Sequence, residues 1–249
     1  KDVGARFMAR CLGFFNENYK EKITVLVATS GDTGGAVADG FYNVPGVKVV
    51  ILYPKGKVSA IQEKQMTTLG GNITALEVEG VFDDCQDMVK KAFIDTQINK
   101  KIRLTSANSI NVARWLPQMF YYFAGYQKAS KYKLPVNFSV PSGNFGNLCA
   151  GLIAQKLGLP INHFLACTNI NDSVPRYLKS GIYDPNPSVQ TISNAMDVGN
   201  PSNFIRVQKV FNNDIHKLKK QVSGYSFNDN ETKKCIKNIY ENNKYILDP

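Results

Sequence analysis

With 249 residues, 43% of them hydrophobic and 20% charged, the chain has an ordinary globular composition and enough length for one or two α/β domains. Its formal net charge of +10 is diluted through helices and mixed with acids, which argues against the basic stripe of a nucleic-acid binder and suits an anionic small molecule instead. No apolar run nears the roughly 20 residues of a membrane helix, and the opening residues do not read as a secretory signal.

Five scattered cysteines (Cys11, Cys85, Cys149, Cys167, Cys235) form no C-x-x-C. With only two histidines, this excludes a disulfide framework and a zinc site and points to reduced thiols in a cytoplasm. No metal is expected.

Val3, Phe7, Cys11 and Phe15 recur at helical spacing and predict a first helix. Residues 23–28, I-T-V-L-V-A, form a β-branched run of the kind buried on both faces of a parallel sheet. The small-residue turn at 29–34 leads into a helix ending near Tyr42. A second buried strand is predicted over 47–53, closed by Pro54. A helix over 59–69, a strand over 73–78 and a helix over 82–98 follow. The alternation predicts a parallel sheet flanked by helices.

The longest helical stretch is read over 110–130, with Trp115, Phe120, Tyr121 and Phe123 as core or interface aromatics. The pattern then restarts. A strand is predicted over 136–140, a tight turn over 141–147, a helix over 148–157, a strand over 164–168 and a short helix over 173–179. Residues 185–201 read as loop and the remainder as polar helix, including 229–243. The expectation is two α/β lobes, 1–130 and 131–249, joined near 131–135.

Two strand-to-helix turns are suited to anions. Unbonded backbone N–H groups and the helix dipole attract negative charge, and glycines let the backbone come close. These turns are Thr29-Ser30-Gly31-Asp32-Thr33-Gly34 and Ser142-Gly143-Asn144-Phe145-Gly146-Asn147. Neither is a Walker loop nor a G-x-G-x-x-G.

Several motifs appear in order: K-D-V-G-A-R-F at 1–7, T-S-G-D-T-G-G at 29–35, S-A-N-S-I-N at 106–111 and V-P-S-G-N-F-G-N at 140–147. T-N-I-N-D follows at 168–172 and S-N-A-M-D at 193–197. Together they resemble the threonine synthases of bacteria and fungi over nearly the whole chain. That resemblance implies a fold-type-II, tryptophan-synthase-β-like α/β architecture, with pyridoxal 5'-phosphate in the cleft between two lobes.

It also implies roles for individual residues. Lys1, followed by Asp2, would hold the cofactor as a Schiff base and shuttle protons. Gly143, Asn144, Phe145, Gly146 and Asn147 would take the cofactor phosphate. Thr29, Ser30, Gly31, Asp32 and Thr33 would receive the substrate carboxylate. Many relatives carry asparagine where this chain has Asp32, beside the pyridine 3-oxygen, which an ionised aspartate would repel. Asn108 is therefore expected to serve that oxygen. Arg114, with Lys55 or Lys57 as alternatives, would meet the substrate phosphate.

The implied reaction converts O-phospho-L-homoserine and water to L-threonine and phosphate, in a carbon–oxygen lyase of threonine biosynthesis. The chain reads as a central piece of such an enzyme, without the segment ahead of Lys1 and without the later part that supplies a Ser/Thr to the pyridine nitrogen. A serine/threonine dehydratase-like lyase of the same fold type and a non-catalytic threonine-synthase-like binding protein are the alternatives. Neither nucleic acid nor membrane is expected as a partner, and the oligomeric state is left open.

Overall fold

Helix α1 (Asp2–Asn16) forms at the predicted place, but the four residues whose spacing predicts it are not its buried face. Gly4, Ala5, Met8 and Ala9 point inward, while Phe7 and Phe15 are exposed. Small residues let the helix lie close to its neighbours, so backbone proximity rather than bulk decided the orientation. The computed structural model describes residues 1–19 and 21–249.

In the first unit, Lys1–Pro117, α1 is followed by β1 (Ile23–Ala28), α2 (Asp32–Phe41), β2 (Val47–Pro54), α3 (Ala60–Thr67) and β3 (Ile73–Val78). Then come α4 (Phe82–Ile94), α5 (Thr96–Lys101), β4 (Arg103–Ser106) and α6 (Val112–Trp115). The strands form one parallel sheet in the order β3-β2-β1-β4. Val25, Val27, Val49 and Ile51 lie in the core with Val37, Ala38 and Phe41 of α2, all fully buried. Truncating Phe41 to alanine there costs about 3–5 kcal/mol.

Two features depart from the sequence reading. The helix expected over 82–98 is broken at Asp95, whose carboxylate accepts the N–H groups of Gln97 at 2.7 Å and Ile98 at 3.0 Å, so it ends α4 and caps α5. Strand β4, R-L-T-S, was not foreseen. It is four residues long, and its pairing with β1 defines it.

The second unit, Gln118–Pro249, holds α7 (Met119–Ala129), β5 (Val136–Pro141), α8 (Gly146–Lys156), β6 (Ile161–Thr168) and α9 (Ser173–Ser180). Beyond the 185–201 loop come α10 (Phe204–Val210), α11 (Ile215–Gln221), β7 (Val222–Ser226) and α12 (Asp229–Asn243). Its sheet is also parallel, in the order β5-β6-β7. The sequence reading placed helix where β7 lies.

The units divide at Pro117/Gln118, upstream of the joint expected at 131–135, so α7 belongs with the second unit. The helix read over 110–130 is interrupted by a 3-10 turn at Leu116–Gln118, since Pro117 lacks the N–H that a continuous helix needs. Of the four aromatics read as core or interface, Trp115 is buried, while Phe120, Tyr121 and Phe123 are exposed and are not core residues. Tyr122 is the core residue of α7. It packs edge-on against Phe138 and Phe164, and its hydroxyl donates to the Asn147 carbonyl at 2.7 Å.

Candidate active site

The turn after β1 is stitched from inside. Thr29, 1% exposed, accepts the N–H groups of Gly31 at 2.9 Å and Gly34 at 2.8 Å through its hydroxyl. Its side chain therefore shapes the loop. Ser30 is exposed and Thr33 half-buried at the N-terminus of α2. Gly31 adopts φ 135°, and a Cβ there would lie 2.4 Å from the Gln62 side chain. Any other residue would be strained at this φ and would have to push the Gln62 amide aside.

Lys1 stands at the N-cap of α1, and its Nζ donates to Asp32 Oδ2 at 3.0 Å. The other carboxylate oxygen of Asp32 accepts from Gln62 Nε2 at 2.7 Å. Gln62 in turn belongs to the Ser59 capping box that opens α3. Burial pushes the Asp32 carboxyl up, but the Lys1 charge, its hydrogen bond and the Gln62 amide outweigh this and hold it below its ordinary range. The residue that looked out of place for a pyridine 3-oxygen thus has a cationic partner, the lysine on which the chemistry is expected to rest.

Asn108 is committed to backbone. Its Oδ1 accepts from Ala28 N at 3.2 Å and from the Ser106 hydroxyl at 3.1 Å, and its Nδ2 donates to Ala28 O at 2.7 Å. It ties the end of β1 to the turn after β4. A further acceptor would have to use the second amide hydrogen.

Asn111 caps α6, and Arg114 beyond it is 3% exposed, packed under α1 where a Cβ on Gly4 would meet its carbonyl and guanidinium. Arg114 is thus no surface charge. Of the alternatives, Lys55 is exposed and paired with Glu79, and Lys57 is exposed.

In the second unit, β5 ends at Pro141 and α8 begins at Gly146, with Phe145 as N-cap at φ 61°. The first N–H groups of a helix have no intrahelical acceptors, and Phe145 offers no capping oxygen to those of Gly146 and Asn147 at the positive end of α8. What would have been the cap is elsewhere. Asn147 Nδ2 donates to Pro141 O at 2.6 Å, and its Oδ1 accepts from the Ser142 hydroxyl at 3.1 Å and from Leu148 N at 2.9 Å.

The loop is held from outside by three contacts. A Cβ on Gly143 would lie 2.9 Å from the Met196 Cα, Asn144 Oδ1 accepts from Ser202 N and Oγ at 2.6 and 2.9 Å, and the Phe145 ring packs edge-on against Phe204 at 5.8 Å. A glycine-backed, uncapped helix start offers backbone donors to a dianion, and a lysine paired with a carboxylate offers an amine. Both parts suit the phosphate and the aldehyde of pyridoxal phosphate. Among the described residues no cluster of His, Cys, Asp or Glu is placed to hold a metal.

The sequence reading missed Gln62 and, although it marked the motifs at 168–172 and 193–197, did not foresee that Asp197 accepts from Asn169, Asn171 and Thr191. Gln62 sits in an exposed helix start whose role shows only when α3 folds back on the 29–34 turn.

Two parallel sheets, each flanked by helices, are the architecture of the fold-type-II pyridoxal-phosphate enzymes. The model of the family described as "Pyridoxal-phosphate dependent enzyme" matches residues 1–249, and the chain belongs to that family. Threonine synthase from Buchnera aphidicola (subspecies Baizongia pistaciae) is 52% identical over 241 residues, covering 96% of this chain and 56% of that protein. The crystal structure of Escherichia coli threonine synthase is similar with a TM-score of 0.89 and 44% identity, over 99% of this chain and 57% of that one. Pyridoxal-phosphate-bound threonine synthase from Brucella melitensis gives a TM-score of 0.90 at 34% identity, over 98% of this chain and 58% of that one. The chain therefore spans a little over half the length of the relatives it matches.

Proposed function

We propose that this chain carries out the chemistry of a threonine synthase, converting O-phospho-L-homoserine and water to L-threonine and phosphate. The observation that carries this reading is the 52% identity to a threonine synthase across 96% of the chain. The glycine-backed 143–147 turn and the Lys1–Asp32 pair support it. A small-molecule substrate suits the family. Among the described residues no helix is long and apolar enough to cross a membrane.

Pyridoxal phosphate, when bound, supplies an electron sink that acidifies the carbon–hydrogen bonds next to the substrate amine. Lys1 would hold it, and the backbone donors at 143–147 would take its phosphate. When not bonded to the cofactor, the Lys1 Nζ would act as base, removing one proton from Cα and one from Cβ. Asp32, 3.0 Å away, stabilises the ammonium that results. Phosphate would leave from Cγ with the C–O electron pair, and Cγ would take up the proton removed from Cβ and become the methyl group. Water would add its hydroxyl at Cβ while its proton goes to the released phosphate, and Lys1 would return a proton to Cα. Backbone N–H groups at the start of α2, with Ser30 and Thr33, receive the substrate carboxylate. Arg114 is the proposed partner of the substrate phosphate.

The test is product analysis on the purified protein supplied with cofactor and O-phosphohomoserine. Equal release of phosphate and threonine is expected, and Arg114→Ala should raise KM for this substrate far more than it changes cofactor content. Phosphate release accompanied by a 2-oxo acid and ammonia instead of threonine would move the chain to an eliminating sister activity.

A further inference from the structure

The S-N-A-M-D segment at 193–197 has no part in the chemistry above, yet it forms the most densely hydrogen-bonded polar cluster beside the phosphate turn. Asp197 Oδ1 accepts from Asn169 Nδ2 at 2.8 Å, Thr191 Oγ1 at 2.7 Å and Asn171 Nδ2 at 3.3 Å, while Oδ2 accepts from Thr191 N at 3.0 Å. Asn169, Asn171 and Thr191 are 8%, 7% and 7% exposed. Asn169 and Asn171 are further locked to each other at 2.9 Å, and Asn171 holds both the N–H and the carbonyl of Val189. A half-buried carboxylate that accepts from four donors, three of them on buried polar side chains, has one favourable position, and displacing it would strand the buried amides.

That position fixes its neighbour in sequence. Met196 meets Gly143 with its backbone: its Cα, carbonyl oxygen and carbonyl carbon would lie 2.9, 3.2 and 3.3 Å from a Cβ at that site. Gly143 is also one residue after Ser142, whose N–H donates to Cys167 O at 2.8 Å and so anchors the turn to the end of β6. Since β6 leads directly into Asn169, sheet, carboxylate cluster and phosphate turn form one connected unit.

We propose that Asp197 is a positioning residue for the phosphate turn: held by Asn169, Asn171 and Thr191, it seats the Met196 backbone against Gly143 and so sets the donors at 143–147 to phosphate geometry. This rests on the reading of 143–147 as the cofactor's phosphate site. Asp197 itself touches neither cofactor nor substrate; it acts through Met196.

The experiment compares the affinity of the cofactor-stripped protein for pyridoxal phosphate and for pyridoxal, followed by absorbance. Pyridoxal lacks the phosphate, so a mispositioned turn should weaken only the first. For Asp197→Asn the expected result is a loss of about tenfold in affinity for pyridoxal phosphate, with pyridoxal changed by less than about twofold. Thr191→Val should move in the same direction, and Thr191→Ser, which keeps the hydroxyl, should restore the wild-type ratio. Should Asp197→Asn fail to fold, the Thr191 pair still decides the matter. An unchanged ratio in folded variants, or equal losses for both ligands, would overturn the proposal. A wild-type protein that itself does not prefer pyridoxal phosphate to pyridoxal would instead remove the phosphate-site reading on which the proposal rests.

Discussion

Gly31 and Thr29 set the 29–34 turn between them: one supplies a φ of 135° and the room for Gln62, the other two hydrogen bonds from a buried hydroxyl. Gly31→Ala combines a strained backbone with a clash and should cost about 1–3 kcal/mol, measured as a shift in the urea midpoint. The Lys1–Asp32 pair has a pH signature. Because the Asp32 carboxyl is held below its ordinary value near 3.8, its contribution is present above that pH and fades as pH falls through the lower folded value. Both side chains are more than a third exposed, so wild type should exceed Asp32→Asn by only about 0.2–1 kcal/mol near neutrality. The difference should vanish in denaturant titrations below the ordinary carboxylate range.

The thiols differ in the same physical terms. Burial pushes Cys149 up to about 12 and raises Cys85, whereas Cys235 is exposed. At pH 8, alkylation mapped by mass spectrometry should label Cys235 first and spare Cys149 and Cys85 until the protein unfolds. At this scale the sequence identified the two anion-suited turns and marked Asp32 as anomalous. It could not identify Lys1 as the partner of Asp32, because their 31-residue separation is closed only by α1 lying against α2.

Strand pairing and caps govern the elements. The buried strands were legible because β-branched-rich runs such as Ile23–Ala28 and Val47–Pro54 have one comfortable home, the middle of a parallel sheet. Strands β4 and β7 lack such runs. Arg103–Ser106 carries an arginine and two hydroxyls, and Val222–Ser226 contains Gly224 packed against Pro175, so only their partners make them strands. Helix ends were misjudged where polar residues inside apolar patterns turned out to be caps, as at Asp95.

Helix α12 depends on its cap. None of its residues is buried, and Asn228 accepts from Asn230 N and Glu231 N at 3.0 Å each while Glu231 returns the bond. Asn228→Ala should destabilise this helix by about 1 kcal/mol, read as faster amide exchange over 229–243 with the β5–β6 amides unaffected.

At the scale of the molecule, two separate parallel sheets recur with the same local device, a strand running into a tight turn and a helix N-terminus, at 28–32 and at 141–146. Periodicity alone revealed that recurrence. The assignment to pyridoxal chemistry came from ordered motifs, because a βα turn by itself does not name its anion. The division of the chain was the least legible feature. Pro117 sits inside a stretch rich in helix-compatible aromatics, and the sequence drew the boundary at the next turn instead.

The proposed role of Lys1 as carrier of the cofactor underlies every step above. Its most direct test is to supply the protein with pyridoxal phosphate, reduce it with borohydride and map the phosphopyridoxyl group by peptide mass spectrometry. The account predicts one modified site, Lys1, with an absorbance band near about 410–420 nm before reduction and neither signal in Lys1→Ala. A dominant adduct on any other lysine, or an undiminished band in Lys1→Ala, would contradict it.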